Sequence, residues 1–187
     1  MHGEFGRVLS GRSGASPLTG EGRMQAEGVA SWPGLGPVTG IHASPRGRTV
    51  ETASIIAAAC GLEFRIVPEL DEVDFGSWSG RCFIDLEGDP RWSDWNRRRA
   101  AGQAPGGESM EQAVNRAVRH IERTARQQPC VTILCVTHCD IIRGIVAHYL
   151  GLSLDNLLRF DVDPGSISTV SVGESGARVT RLNEVPA

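Results

Sequence analysis

The most constraining feature of the sequence is the run Cys130-Val131-Thr132-Ile133-Leu134-Cys135-Val136-Thr137. It is almost continuously apolar and β-branched, and its length suits a strand buried on both faces. A helical pattern follows at once, from about Asp140 to Leu150, closed by Gly151 as its C′ residue. A strand running straight into a helix is the unit of a parallel α/β sheet. A second unit lies upstream. Val38 to Ala43 reads as a strand, Ser44-Pro45 as an N-cap with Pro at the first helical position, and the helix runs through Arg48, Thr52 and Ile56 to Cys60 before Gly61. Phe64 to Val67 is a further strand, stopped by Pro68. Ser109-Met110-Glu111-Gln112 is a capping box that opens a helix to about Gln127. A helix over Glu21 to Ala30 follows Thr19, and Ile167 to Val172 with Arg178 to Leu182 reads as a hairpin across Gly173-Glu174-Ser175-Gly176. The pattern breaks between about Gly76 and Gly107, which holds Trp78, Trp92, Trp95 and Arg97-Arg98-Arg99. That stretch reads as an insertion over one end of the sheet.

A chain of 187 residues with 40% hydrophobic residues suits one domain over residues 1–187. No apolar run approaches the roughly 18 residues that span a bilayer, so no membrane association is expected. A net charge of −3 advertises no nucleic-acid surface. All 19 basic residues are Arg, so any bound phosphate must be held by Arg, His or backbone N–H. Five cysteines (Cys60, Cys82, Cys130, Cys135 and Cys139) contain no CxxC pair and point to a reducing, cytoplasmic setting. Cys135, His138 and Cys139 match no standard zinc spacing.

Parallel α/β sheets bind ligands beyond the carboxyl ends of their strands, beside helix N-termini. His138 ends the strongest strand there, and Arg48 lies in the first turn of the helix after Val38–Ala43. An anion is favoured at such a terminus, and the Arg fork matches phosphate oxygens. On these grounds alone His138 also reads as a structural histidine and Arg48 as a surface helix arginine.

Five blocks in order add a resemblance. His2-Gly3-Glu4 with Gly11-Arg12 and Pro17-Leu18-Thr19 forms the first, and Ser44-Pro45-Arg46-Gly47-Arg48-Thr49-Val50-Glu51-Thr52-Ala53 the second. Leu70-Asp71-Glu72-Val73-Asp74-Phe75-Gly76-Ser77-Trp78-Ser79-Gly80, Pro105-Gly106-Gly107-Glu108-Ser109 and Val136-Thr137-His138 with Ile142-Arg143 complete the set. Together they resemble the histidine phosphatase superfamily, the phosphoglycerate mutase-like proteins, over nearly the whole chain. The resemblance implies a three-layer α/β/α sandwich with a mainly parallel sheet and a lid or specificity insertion at about 76–107. It implies a phosphatase acting on a small-molecule phosphomonoester through a phosphohistidine, without metal or cofactor. His2 is then the nucleophile, Glu72 the general acid, and Arg48 and His138 the groups that hold the phosphoryl oxygens. Arg12 is a further phosphate or substrate contact, or else a solvated loop arginine. Asp140 reads as a helix-N-terminal carboxylate in preference to an additional acid. Arg81, Arg91 and Arg97 to Arg99 read as a solvated face in preference to a substrate-recruiting patch.

Relatives carry an apolar strand ending in Arg just before the first His, and Met1 stands in that place. The first strand is therefore expected to be missing from this chain, its coding start lying downstream of the true one. A chain starting at Met1 is expected to have weakened activity and reduced stability. Three other readings stay open: a cofactor-dependent mutase, a weakened phospho-ligand-binding relative, and a cysteine-dependent phosphatase built on Cys139 and Arg143. The last is disfavoured because only Asp140, Ile141 and Ile142 intervene, too short a loop to wrap a phosphate. A homodimer is left open.

Overall fold

The computed structural model describes residues 1–13 and 16–186. Three parallel strands form its central sheet in the order β2 (Phe64–Ile66), β1 (Gly40–Ala43), β3 (Ile133–Val136). A separate antiparallel hairpin joins β4 (Ile167–Gly173) to β5 (Gly176–Glu184). The helices are α1 (Gly20–Ser31), α2 (Gly47–Cys60), α3 (Phe83–Leu86), α4 (Pro90–Arg97), α5 (Met110–Gln127) and α6 (Cys139–Leu150). The fold is α/β with a parallel sheet.

Alternation along the strands places helices on both faces. Ile41 and Ala43 of β1, with Leu134 and Val136 of β3, pack against Val29 of α1 and Ala53, Ile56 and Ala57 of α2. The intervening residues point the other way: Cys135 joins the core of α5 and α6, and His42 meets His120 of α5, Nδ1 to Nε2 at 3.0 Å. Arg123 Nη2 lies 3.2 Å from the other His120 nitrogen. A guanidinium only donates, so that nitrogen accepts and His120 Nε2–H donates to His42. Gly144 lets α6 approach α5, since a Cβ there would lie 2.1 Å from Val114 Cγ2. Inside the 76–107 segment, Trp78 and Trp95 are fully buried and share the core of α5 and α6.

Several expected elements shift, each for a local reason. Helix α2 begins at Gly47, and Ser44 does not cap it; the N-cap position falls to Arg46 without a side-chain cap. The Ser44 hydroxyl is engaged elsewhere, 2.7 Å from His138 Nε2. Strand β3 is only Ile133–Val136, and its residues are half-buried rather than buried on both faces. Among the described residues it pairs with β1 alone, and Leu134, Cys135 and Val136 line a cavity. Cys130 departs from strand geometry with φ of 61°. Residues 3–7 form turns, and His2 makes one isolated antiparallel bridge, with Leu18. The capping box on α5 forms as expected, Ser109 and Gln112 each accepting the other's backbone N–H.

Candidate active site

The carboxyl ends of β1 and β3 open onto a cavity of about 430 Å³. His2, Arg48, Glu72 and His138 all line it, so four of the five expected site residues come together. His138 arrives as the N-cap residue of α6 directly after β3, and Arg48 as the second residue of α2 after β1. Glu72 follows the turn at Pro68–Leu70 that ends β2. Three consecutive strands thus deliver one side chain each.

Arg48 is the hub. Its Nη2 lies 2.9 Å from His138 Nδ1, 3.6 Å from Glu72 Oε2 and 3.0 Å from the Gly11 carbonyl oxygen. Glu72 Oε2 is also 3.6 Å from His138 Nδ1. Burial pushes the Glu72 carboxyl up to about 8, with the Asp140 charge adding to it and Arg48 opposing. Burial also lowers His138 well below the usual histidine value, and the Arg48 charge lowers it further. His2 is lowered by the same two causes, so its imidazole is neutral near pH 7. Its Nδ1 is buried without a hydrogen-bond partner among the described residues.

The cavity does not include Arg12. Arg12 lies behind the loop that carries Glu72, its Nε donating to the Glu72 carbonyl at 2.9 Å and its Nη2 to Glu108 at 2.7 Å. Asp71 and Asp74 of the third block and Glu108 of the fourth hold the guanidinium there. Arg116 completes the brace from α5, donating to the carbonyls of Glu69, Asp71 and Glu72 and to Glu108. Gly107 makes this packing possible, since a Cβ there would lie 2.1 Å from the Asp74 carbonyl oxygen.

Asp140 is more than a cap. It lines the cavity and accepts from Arg99 Nη1 at 3.1 Å and Arg143 Nη1 at 3.4 Å. Arg99, expected on a solvated face, is buried in that pair. Arg91 does sit on the surface, paired with Asp89. Sequence reasoning passed over Ser44, Asp71 and Arg116; Ser44 looked like a helix cap, and the other two lacked any local signal. Cys139 gives its Sγ–H to the Val162 carbonyl at 3.3 Å, and burial pushes its thiol up to about 12. It is not poised as a nucleophile.

The model of the histidine phosphatase superfamily (branch 1) matches residues 2–185. The chain belongs to that superfamily. An adenosylcobalamin/alpha-ribazole phosphatase of Escherichia coli (strain K12) is 27% identical to this histidine phosphatase family member over 170 residues, which cover 90% of this chain and 84% of that one. A protein of Enterobacter sp. (strain 638) named as a probable phosphoglycerate mutase, GpmB, is 32% identical over 173 residues, 90% of this chain and 79% of that one. Among solved structures, the alpha-ribazole phosphatase from Shigella flexneri superposes on this family member with a TM-score of 0.82 at 26% identity, over 95% of this chain and 88% of that one.

Proposed function

We propose that the protein is a phosphatase that hydrolyses a small-molecule phosphomonoester through a phosphohistidine on His2. The observation that carries this reading is the convergence of His2, Arg48, Glu72 and His138 on one cavity, with Arg48 bridging Glu72 and His138. The neutral His2 imidazole attacks phosphorus with its lone pair as the bond from phosphorus to the ester oxygen breaks. Protonated Glu72 gives its proton to the departing alkoxide. Arg48 and His138 take the charge spread over the phosphoryl oxygens. In the second half, the Glu72 carboxylate accepts a proton from water, the oxygen attacks phosphorus, and the P–N bond breaks. Inorganic phosphate leaves, with His2 and Glu72 restored.

Residues 1–187 are read as one three-layer α/β/α domain, with 76–107 as the lid that sets specificity. Its Arg99 reaches Asp140 in the cavity wall, and its Phe83 also lines the cavity. Apolar lining from Phe5, Phe75 and Phe83 suits a substrate with an organic moiety beyond its phosphate. The test is to incubate the chain with a phosphorylated substrate and seek an acid-labile, base-stable phosphate on His2. The expected result is labelling lost in His2→Ala; labelling that survives this change overturns the reading. A mutase is the second reading, favoured by the name of the 32%-identical Enterobacter relative. Phosphoryl exchange between phosphoglycerates without phosphate release would select it.

A further inference from the structure

His138 is buried and has a polar contact on each ring nitrogen. Arg48 Nη2 lies 2.9 Å from Nδ1, and Ser44 Oγ lies 2.7 Å from Nε2. A guanidinium has no acceptor, so Nδ1 carries the lone pair and Nε2 the hydrogen. That hydrogen goes to Ser44 Oγ. Ser44 is fully buried, and its own hydroxyl hydrogen points to Asp71 Oδ1 at 3.4 Å. The Asp71 carboxylate also accepts the Glu72 N–H at 2.8 Å and lies 2.8 Å from Arg46 Nε and 3.5 Å from Arg12 Nε. The chain Arg48 to His138 to Ser44 to Asp71 therefore runs one way. Its first member only donates, and its last, a carboxylate paired with Arg46 and taking the Glu72 N–H, accepts.

We propose that Ser44 and Asp71 are positioning residues that hold His138 as the Nε2–H tautomer, so that Nδ1 takes a phosphoryl oxygen only by first gaining a proton. This rests on the reading of the cavity as a phosphoryl-transfer site. Phosphoryl oxygens are acceptors, and a lone pair on Nδ1 repels them. When phosphate enters, a proton from solvent adds to Nδ1. The imidazolium then donates to the phosphoryl oxygen at Nδ1 and to Ser44 at Nε2. The charged and titratable groups around the ring are Arg48 and Arg46 from the start of α2, Arg116 from α5, His2 from the N-terminal turn, and Glu72 with Oε2 at 3.6 Å. The cations among them oppose proton gain in the free protein, and a phosphoryl dianion offsets them. Phosphate binding is thereby coupled to proton uptake.

The test is nitrogen NMR of the full chain with labelled histidine, the His138 signals being assigned with His138→Asn. Without ligand at pH 7 the expected pattern is an unprotonated Nδ1 and a protonated Nε2. Saturating inorganic phosphate is expected to protonate both. Ser44→Ala removes the acceptor, so both tautomers are expected and the phosphate Kd rises about tenfold, the size of one lost hydrogen bond. Asp71→Asn offers an amide N–H to Ser44, which turns the hydroxyl hydrogen toward His138 and favours the Nδ1–H tautomer. A free protein that already carries hydrogen on Nδ1 overturns the proposal, whatever the variants do. So does a phosphate-loaded His138 that stays neutral, or a tautomer unchanged in both variants. Protonation of Nδ1 by phosphate without any turnover of p-nitrophenyl phosphate would sink the catalytic reading and leave this one standing. Labelling on His2 with an unmoved tautomer would do the reverse.

Discussion

Arg48 donates to His138: its Nη2 sits 2.9 Å from Nδ1, and the same nitrogen reaches Glu72 Oε2 at 3.6 Å. One guanidinium thus ties together side chains delivered by three different strand ends. Replacing it with alanine removes the cation that faces the phosphoryl group in the proposed mechanism. Arg48→Ala is expected to lower kcat/KM for p-nitrophenyl phosphate by about 10²–10³-fold, the cost of one preorganised donor. Arg48→Lys restores little, because an ammonium lacks the planar fork. Recovery by lysine to within a few-fold would contradict this geometry.

As the proposed general acid, Glu72 is expected to set the alkaline side of the pH profile. With its carboxyl raised to about 8, the protonated acid is present below that pH and lost above it. kcat/KM is therefore expected to fall as pH rises through about 8. Glu72→Gln removes the proposed proton donor and is expected to reduce the rate by about 10²–10⁴-fold. The Asp140 charge contributes to the upward shift, so Asp140→Asn should move the alkaline limb to lower pH. A limb that stays in place would show that Asp140 does not act on Glu72.

Arg99 joins the 76–107 segment to helix α6 through its buried contact with Asp140. Cutting it from one side leaves the Asp140 carboxylate in the cavity wall with only the longer contact from Arg143, at 3.4 Å. Arg99→Leu is expected to destabilise the protein by about 3 kcal/mol, typical of breaking a buried pair. It should also speed proteolysis between residues 76 and 107. A urea midpoint unchanged from the parent would show that the pair holds nothing.

The His42–His120 contact makes the fold sensitive to acid. Burial lowers both rings, His42 to about 4, with Arg65 and Arg123 opposing a positive charge and Glu69 favouring one on His120. Both are neutral in the folded protein near pH 7. Below the ordinary histidine value of roughly 6.5 the unfolded chain binds more protons than the folded one. Stability conferred by the pair is thus full above about pH 6.5 and is lost as pH falls toward 4. Urea midpoints at pH 7.5 and pH 5 measure it. The double change His42→Leu with His120→Leu should flatten the difference, and an equally steep loss would rule the pair out as its source.

Local chemistry wrote most of the fold in readable form. The Ser109–Gln112 box, the glycines after α2 and α6, and the β-branched core of β3 each act within a few residues. Their elements appear within a residue or three of where the pattern placed them. His2, Arg48, Glu72 and His138 were legible because each occupies a strand end or a motif block. Arg12 was not, because its place depends on Asp71, Asp74 and Glu108, far along the chain. Ser44 misled for the same reason. An N-cap and a histidine acceptor call for the same hydroxyl, and only the tertiary fold decides between them. Arg99 looked solvated within its arginine run until α6 brought Asp140 beside it.

The sulfur chemistry of the chain has a practical side. The thiols of Cys135 and Cys139 are held back from ionising, both pushed up to about 12, while Cys82 and Cys130 stand in solvent. A brief exposure to a maleimide dye would therefore decorate first the two exposed points, one at the base of the tryptophan-rich segment and one ahead of β3, with half-buried Cys60 reacting behind them. Fluorescence transfer between them would report, in the unaltered protein, whether that segment shifts when a ligand fills the cavity that its Phe83 lines.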